Sequence, residues 1–182
     1  MTIVCPARRQ LMLGLGGVAM FSMVPAKVYA SRSTTGVRSL GFYNRHTGER
    51  GQGSYWVDGD YQNNTLSDFD HILRDHRQNE AAPMDRRLFD LLFSLKQTLN
   101  LDKEYHVISG YRSPKTNQML ANRSNGVAKK SYHMKGMAMD IAIPDVNLKD
   151  LRDAAISLKL GGVGYYPNSG FVHVDTGPVR SW

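Results

Sequence analysis

Two short segments, residues 137–143 and Phe171–Asp175, alternate apolar and polar side chains with a period of two, which commits both to half-buried β-strands. Met137, Met139, Ile141 and Ile143 then share one face, and Ala138, Asp140 and Ala142 share the other. In the second segment Val172 and Val174 turn to the core while Phe171, His173 and Asp175 project together. A solvated strand face carries larger polar residues than alanine, so Asp140 is expected to sit in a recess with room beside it.

The rest of the chain supplies a sheet and helices to cover it. Residues 40–43 and 54–57, separated by a turn-prone stretch, predict a hairpin. Asn64 or Thr65 is expected to cap a helix with Leu66, Phe69, Ile72 and Leu73 on its apolar face, Asp68 and Asp70 favouring its first turn and its end near Gln78. His71 and Asp75 are expected on its solvated side. Pro83 and Asp85 open a second helix, where Leu88, Leu91, Leu92, Leu95 and Leu99 recur at three and four. A strand over 105–109, a helix over 115–123 stopped by Asn125-Gly126, and a helix over 148–160 closed by Gly161-Gly162 follow. Strands over 163–166 and 171–174 flank a turn at 167–170. Helices gather early and strands late, predicting an α+β fold with helices against a mostly antiparallel sheet.

Residues 1–30 read as an export leader: Arg8 and Arg9, then an apolar stretch too short to span a bilayer, then Val28-Tyr29-Ala30. Cleavage is expected after Ala30, and the paired arginines before a glycine-containing apolar stretch suggest the twin-arginine route. Residues 31–39 are expected to form a flexible segment and 40–182 the folded domain. Cys5 is the only cysteine, so loss of the leader would leave neither a disulfide nor a thiol nucleophile. Without Arg8, Arg9 and Lys27 the net charge of +7 falls to about +4. The bases are scattered and no nucleic-acid motif accompanies them, so an anionic polymer such as the cell wall is the more economical partner.

His133 precedes Asp140 by seven positions across Gly136, a residue that permits a sharp turn. With His173 from a neighbouring strand, two imidazoles and a carboxylate can surround a divalent ion and leave a fourth tetrahedral position for water, the composition of a catalytic zinc site. Spacing alone equally allows three residues that never meet. The sequence lacks both the H-E-x-x-H helix of one zinc-peptidase class and the G-x-S-x-G elbow of serine hydrolases.

Three ordered motifs extend this reading: Ser109-Gly110-Tyr111-Arg112-Ser113, the S-x-H-x-x-G-x-A-x-D element from Ser131 to Asp140, and Phe171-Val172-His173-Val174-Asp175. Together they resemble the D-alanyl-D-alanine metallopeptidases, whose fold is shared with hedgehog domains. With the leader, Gly126-Val127-Ala128-Lys129-Lys130 and the segment from Gly161 to Pro167, the whole chain is similar to the murein endopeptidase K group. The resemblance implies one zinc ion per chain on His133, Asp140 and His173, and a periplasmic location. It also implies hydrolysis of peptidoglycan cross-link peptides, notably between meso-diaminopimelate residues. Arg112 matches an arginine placed near the reacting centre. The glutamate that some relatives use as general base, three positions before the last histidine, is Gly170 here, and the histidine that others carry two before it is Phe171. Asp175 is then expected to orient His173 or to take the proton from water, with His106 a weaker candidate for base. Tyr132, Tyr165, Tyr166 and Phe171 are expected to line a groove for the stem peptide. A carboxypeptidase and a non-catalytic wall-binding module are the alternatives.

Overall fold

The expected hairpin forms, β1 (Val37–Asn44) pairing antiparallel with β2 (Arg50–Val57), in a computed structural model that describes residues 36–123 and 128–182. The leader, its cleavage point after Ala30 and the Asn125-Gly126 stop lie outside the described residues. Residues 37–39, expected in the flexible segment, are instead strand. Arg38 lays its guanidinium 4.2 Å from the Trp56 ring and bonds Asp90 at 2.7 Å, while Ser39 meets Ser54 at 2.9 Å. Cross-strand partners order a stretch whose polar composition suggested a linker.

Helix α1 (Asn63–Ile72) starts from Gln62, which makes no side-chain cap, rather than from Asn64 or Thr65. It also ends about six residues before Gln78. The Leu73 carbonyl accepts the Tyr111 N–H, the Ile72 carbonyl accepts the Asn44 amide, and a bridge between Asp75 and Glu80 turns the chain away. Asp70, placed beyond the first turn, accepts the Met84 N–H instead of favouring the helix start. Asp75 is not on a solvated face: it is buried, and one carboxylate oxygen accepts both the N–H and the hydroxyl of Ser113. A burial that looks wrong for aspartate is explained by those bonds.

Helix α2 (Arg86–Leu99) follows the leucine stripe, with Asp85 accepting the Arg87 N–H at its start and Asn100 in the left-handed conformation at its end. Leu92 is wholly buried at the centre of the stripe. Leu92→Ala is expected to cost about 2–5 kcal/mol, read as a lower urea midpoint at unchanged m-value.

Strands β3 (Asp60–Tyr61), β4 (Tyr105–Ser109), β5 (Ala138–Ala142), β6 (Gly162–Tyr166), β7 (Phe171–Asp175) and β8 (Arg180–Ser181) complete the sheet. Its order is β3-β2-β1-β4-β5-β7-β6-β8, antiparallel except for the β1–β4 and β6–β8 pairs. Helices α3 (Pro114–Arg123) and α4 (Leu148–Leu158) fall where expected. Val107, Met139, Ile141, Val172 and Val174 join Leu88, Leu92, Phe69 and Leu151 in one core, so helices cover the apolar sheet face and the other is left for the site. The α+β expectation holds, with a mixed sheet. Among the described residues no helix is long and apolar enough to cross a membrane.

Candidate metal centre

Strand pairing puts four residues in one row across the sheet: Ser109 of β4 opposite Asp140 of β5, Asp140 opposite His173 of β7, and His173 opposite Gly164 of β6. Directly opposed residues share a face, so register alone brings Asp140 and His173 together. His133 arrives from above on a 3-10 turn, Tyr132–Lys135, which Ser131 caps and Gly136 closes with φ of 64°. That positive φ is why glycine stands there.

The loop after β4 is knitted to this turn. The Gly110 carbonyl accepts His133 Nδ1–H at 2.8 Å, and the His133 carbonyl accepts the Arg112 N–H at 3.2 Å. A carbonyl can only accept, so His133 Nδ1 carries the proton and Nε2 presents its lone pair. On the other imidazole, His173 Nε2 donates to the Asp175 carboxylate at 3.0 Å, which leaves Nδ1 facing inward.

Three acceptors therefore converge. His173 Nδ1 lies 2.8 Å from Asp140 Oδ1, His133 Nε2 lies 3.3 Å from the same oxygen, and the two nitrogens are 3.3 Å apart. Lone pairs held this closely need a proton or a cation between them. Ligands bonded at roughly 2.0–2.1 Å to a tetrahedral zinc lie about 3.3 Å from one another, so the donor set fits such an ion. These are the three residues that sequence spacing left undecided, and the fold buries all of them together.

Without metal, a proton is favoured in that place. Burial pulls the His173 pKa down, but hydrogen bonds to Asp140 and Asp175 more than offset it, leaving it above its ordinary 6.5. Burial likewise opposes ionisation of Asp140, yet His133 and His173 hold its carboxyl well below the usual range. The raised His173 value contributes metal-free stability that is full below the unfolded pKa and lost as pH rises through the folded one. Metal and proton would compete, so affinity for a divalent metal ion is expected to rise with pH through the His173 titration, with proton release on binding. Calorimetric titration across a pH series checks this; pH-independent affinity would exclude His173 as a ligand.

Arg112 reaches the same cleft. Its Nη2 donates to Ser109 Oγ at 3.2 Å and lies 3.8 Å from Asp140 Oδ2, while its buried Nε has no hydrogen-bond partner among the described residues. Asp175 is wholly enclosed. One oxygen accepts from Gly162 N, Gly177 N and Arg180, and the other from His173 and Arg180. With its oxygens so engaged and no path to solvent, it is placed to orient His173 rather than to take a proton from water. Tyr132, Tyr166 and Phe171 line the cleft as expected, but Tyr165 does not: it lies under Arg152, with the guanidinium 4.6 Å from its ring. His106 packs edge-on against Tyr43, outside the lining. His46 and His76 stack on each other away from the site. The sequence reading missed Arg180 and Trp182, both of which line the cleft. Their only signal was an arginine and a tryptophan shortly after the last motif.

The family described as peptidoglycan L,D-endopeptidase MepK matches residues 32–182. The chain is 46% identical over 177 residues to the peptidoglycan L,D-endopeptidase MepK of Escherichia coli K12, covering 97% of each protein. It is 45% identical over 172 residues to a probable peptidoglycan L,D-endopeptidase MepK of Haemophilus influenzae, covering 93% of this chain and 92% of that one.

Proposed function

The chain belongs to the peptidoglycan L,D-endopeptidase MepK family, and from that premise we propose that it is a zinc-dependent hydrolase cutting amide bonds in peptidoglycan cross-links. The bond between two meso-diaminopimelate residues is its target in this reading. The observation that carries the proposal is the convergence of His133 Nε2, Asp140 Oδ1 and His173 Nδ1, within 3.3 Å of one another, which a divalent cation can hold together in place of a proton.

One zinc ion held there would lower the pKa of a water molecule and polarise the carbonyl of the scissile amide. The protein's own residues orient the imidazoles and hold the substrate. Gly110 and Asp175 fix the two imidazoles by holding the proton on the outward nitrogen of each. Arg112, fixed by Ser109 and Asn117, offers N–H donors to the oxygen on which negative charge develops, or to a substrate carboxylate. Tyr132, Tyr166 and Phe171 supply flat walls against which a stem peptide can lie.

The position at which the dipeptidase and carboxypeptidase relatives carry a glutamate base is Gly170 here, at φ of 74° on the turn before β7, and this favours a second reading as a wall-binding module without turnover. The two are separated by digesting cross-linked peptidoglycan with the protein, with and without zinc, beside His133→Ala, and reading muropeptides by mass. Loss of dimers that needs both zinc and His133 supports the hydrolase and identifies the bond, excluding the carboxypeptidase alternative as well. Intact dimers with zinc-loaded protein that pellets with the wall would leave the binding module. We place the mature chain, from Ser31, in the periplasm after twin-arginine export, where that substrate lies.

A further inference from the structure

We infer that Arg180 is a positioning residue of the metal centre, acting on His173 through Asp175; the inference rests on the reading of His173 as a ligand. Arg180 grips Asp175 with both prongs of its guanidinium, Nη1 to Oδ1 at 3.1 Å and Nη2 to Oδ2 at 2.6 Å. The oxygen that takes Nη2 is the one that accepts His173 Nε2–H at 3.0 Å. A two-pronged grip fixes the carboxylate plane as well as its position, and the plane sets the direction from which it can accept the imidazole proton. That direction decides where Nδ1, on the far side of the ring, points.

The guanidinium is itself clamped. It lies 5.2 Å from the Tyr132 ring and 4.8 Å from the Trp182 ring, and Nη1 also donates to the Pro178 carbonyl at 2.9 Å. Tyr132 is the residue before the ligand His133. Trp182 is tied to Tyr166 through its indole N–H at 2.8 Å and sits 5.4 Å from the His173 ring. Glycines make room for each part. A Cβ on Gly162 would overlap Arg180 Nη1; on Gly164 it would lie 2.7 Å from the Trp182 ring; on Gly177 it would lie 2.6 Å from the Tyr132 ring. Edge strand β8 thus carries more than an extra pair of backbone bonds. It brings a cation to a fully buried carboxylate that would otherwise face His173 without a counter-charge.

A merely structural Arg180 would fasten β8 to the sheet and leave the metal alone. The test uses the full chain as wild type, Arg180→Met and Arg180→Lys. Zinc affinity is measured by chelator competition, coordination by the visible spectrum of the cobalt-loaded protein, and kcat and KM on muropeptide dimers. Arg180→Met is expected to weaken zinc by roughly 10- to 100-fold, to change the cobalt spectrum, and to lower kcat more than it raises KM. Arg180→Lys, which keeps the charge but loses the fork, is expected to fall between the two. Wild-type zinc affinity and cobalt spectrum in folded Arg180→Met would overturn the inference; so would those results in Arg180→Lys if Arg180→Met does not fold. A wild-type chain that binds no zinc would sink the metal reading along with it. Variants that match a zinc-binding, dimer-cleaving wild type would sink only the role of Arg180.

Discussion

Asp140→Asn is expected to abolish hydrolysis of cross-linked dimers, by a factor of about a thousand or more, without unfolding the protein. Losing the ion removes several kcal/mol of transition-state stabilisation, and each 1.36 kcal/mol is a factor of ten. The substitution is nearly isosteric but turns an acceptor into a group that also donates. In the metal-free wild type, Asp140 Oδ1 faces His173 Nδ1 at 2.8 Å and His133 Nε2 at 3.3 Å. An amide N–H there can bond one of those lone pairs directly. The variant loses the Asp140–His173 ion pair, so it is expected to melt below chelator-treated wild type at low pH and to approach it as pH rises through the His173 titration, while zinc raises the melting temperature of the wild type only. Zinc titration followed by thermal unfolding gives both readings. Zinc-dependent cleavage that persisted in Asp140→Asn would remove Asp140 from the ligand set.

Arg112→Ala is expected to lower kcat by about 10²–10³, in the range of about 2.7–4 kcal/mol seen when one oxyanion donor is lost. Stability should not fall with it. Burial pulls the Arg112 pKa below its ordinary value against the attraction of Asp140, Nε has no partner among the described residues, and the Asn117 contact is long at 3.4 Å. Such a group costs free energy in the folded protein, so its removal is not expected to destabilise it. Arg112→Lys should recover little, because one ammonium cannot reproduce the fork held by Ser109. Steady-state kinetics separates the two roles: a fall in kcat marks a donor to developing charge, whereas a rise in KM alone marks a grip on a ground-state carboxylate. Unchanged kinetics would leave Arg112 with neither.

Much of this was legible in the chain. Helix α2 was readable because its leucines recur at helical spacing and Asp85 stands where a cap is needed. The faces of β5 and β7 were readable because a strand's period of two says which side chains leave the core together, and that put Asp140 on one polar face and His173 with Asp175 on another. The ordered motifs added His133 and Arg112. The helix and strand readings rest on short-range order, where a residue's direction is fixed by its neighbours in sequence, whereas His133 and Arg112 rest on the resemblance of the motifs.

What stayed hidden was decided by partners far along the chain. Helix α1 ends early because Asn44 and Tyr111 take its last carbonyls, and Asp75 is buried because Ser113 satisfies it. Tyr165 and Tyr166 are adjacent, yet the pleat gives one to Arg152 and the other to the cleft. Sequence set the composition of the candidate site, two imidazoles and a carboxylate on strand and turn. Only the tertiary structure brought Asp140 opposite His173, laid Gly110 against His133, and folded β8 back so that Arg180 meets Asp175. Periodicity records which way a side chain points, while the choice of neighbouring strand depends on packing summed over the whole sheet.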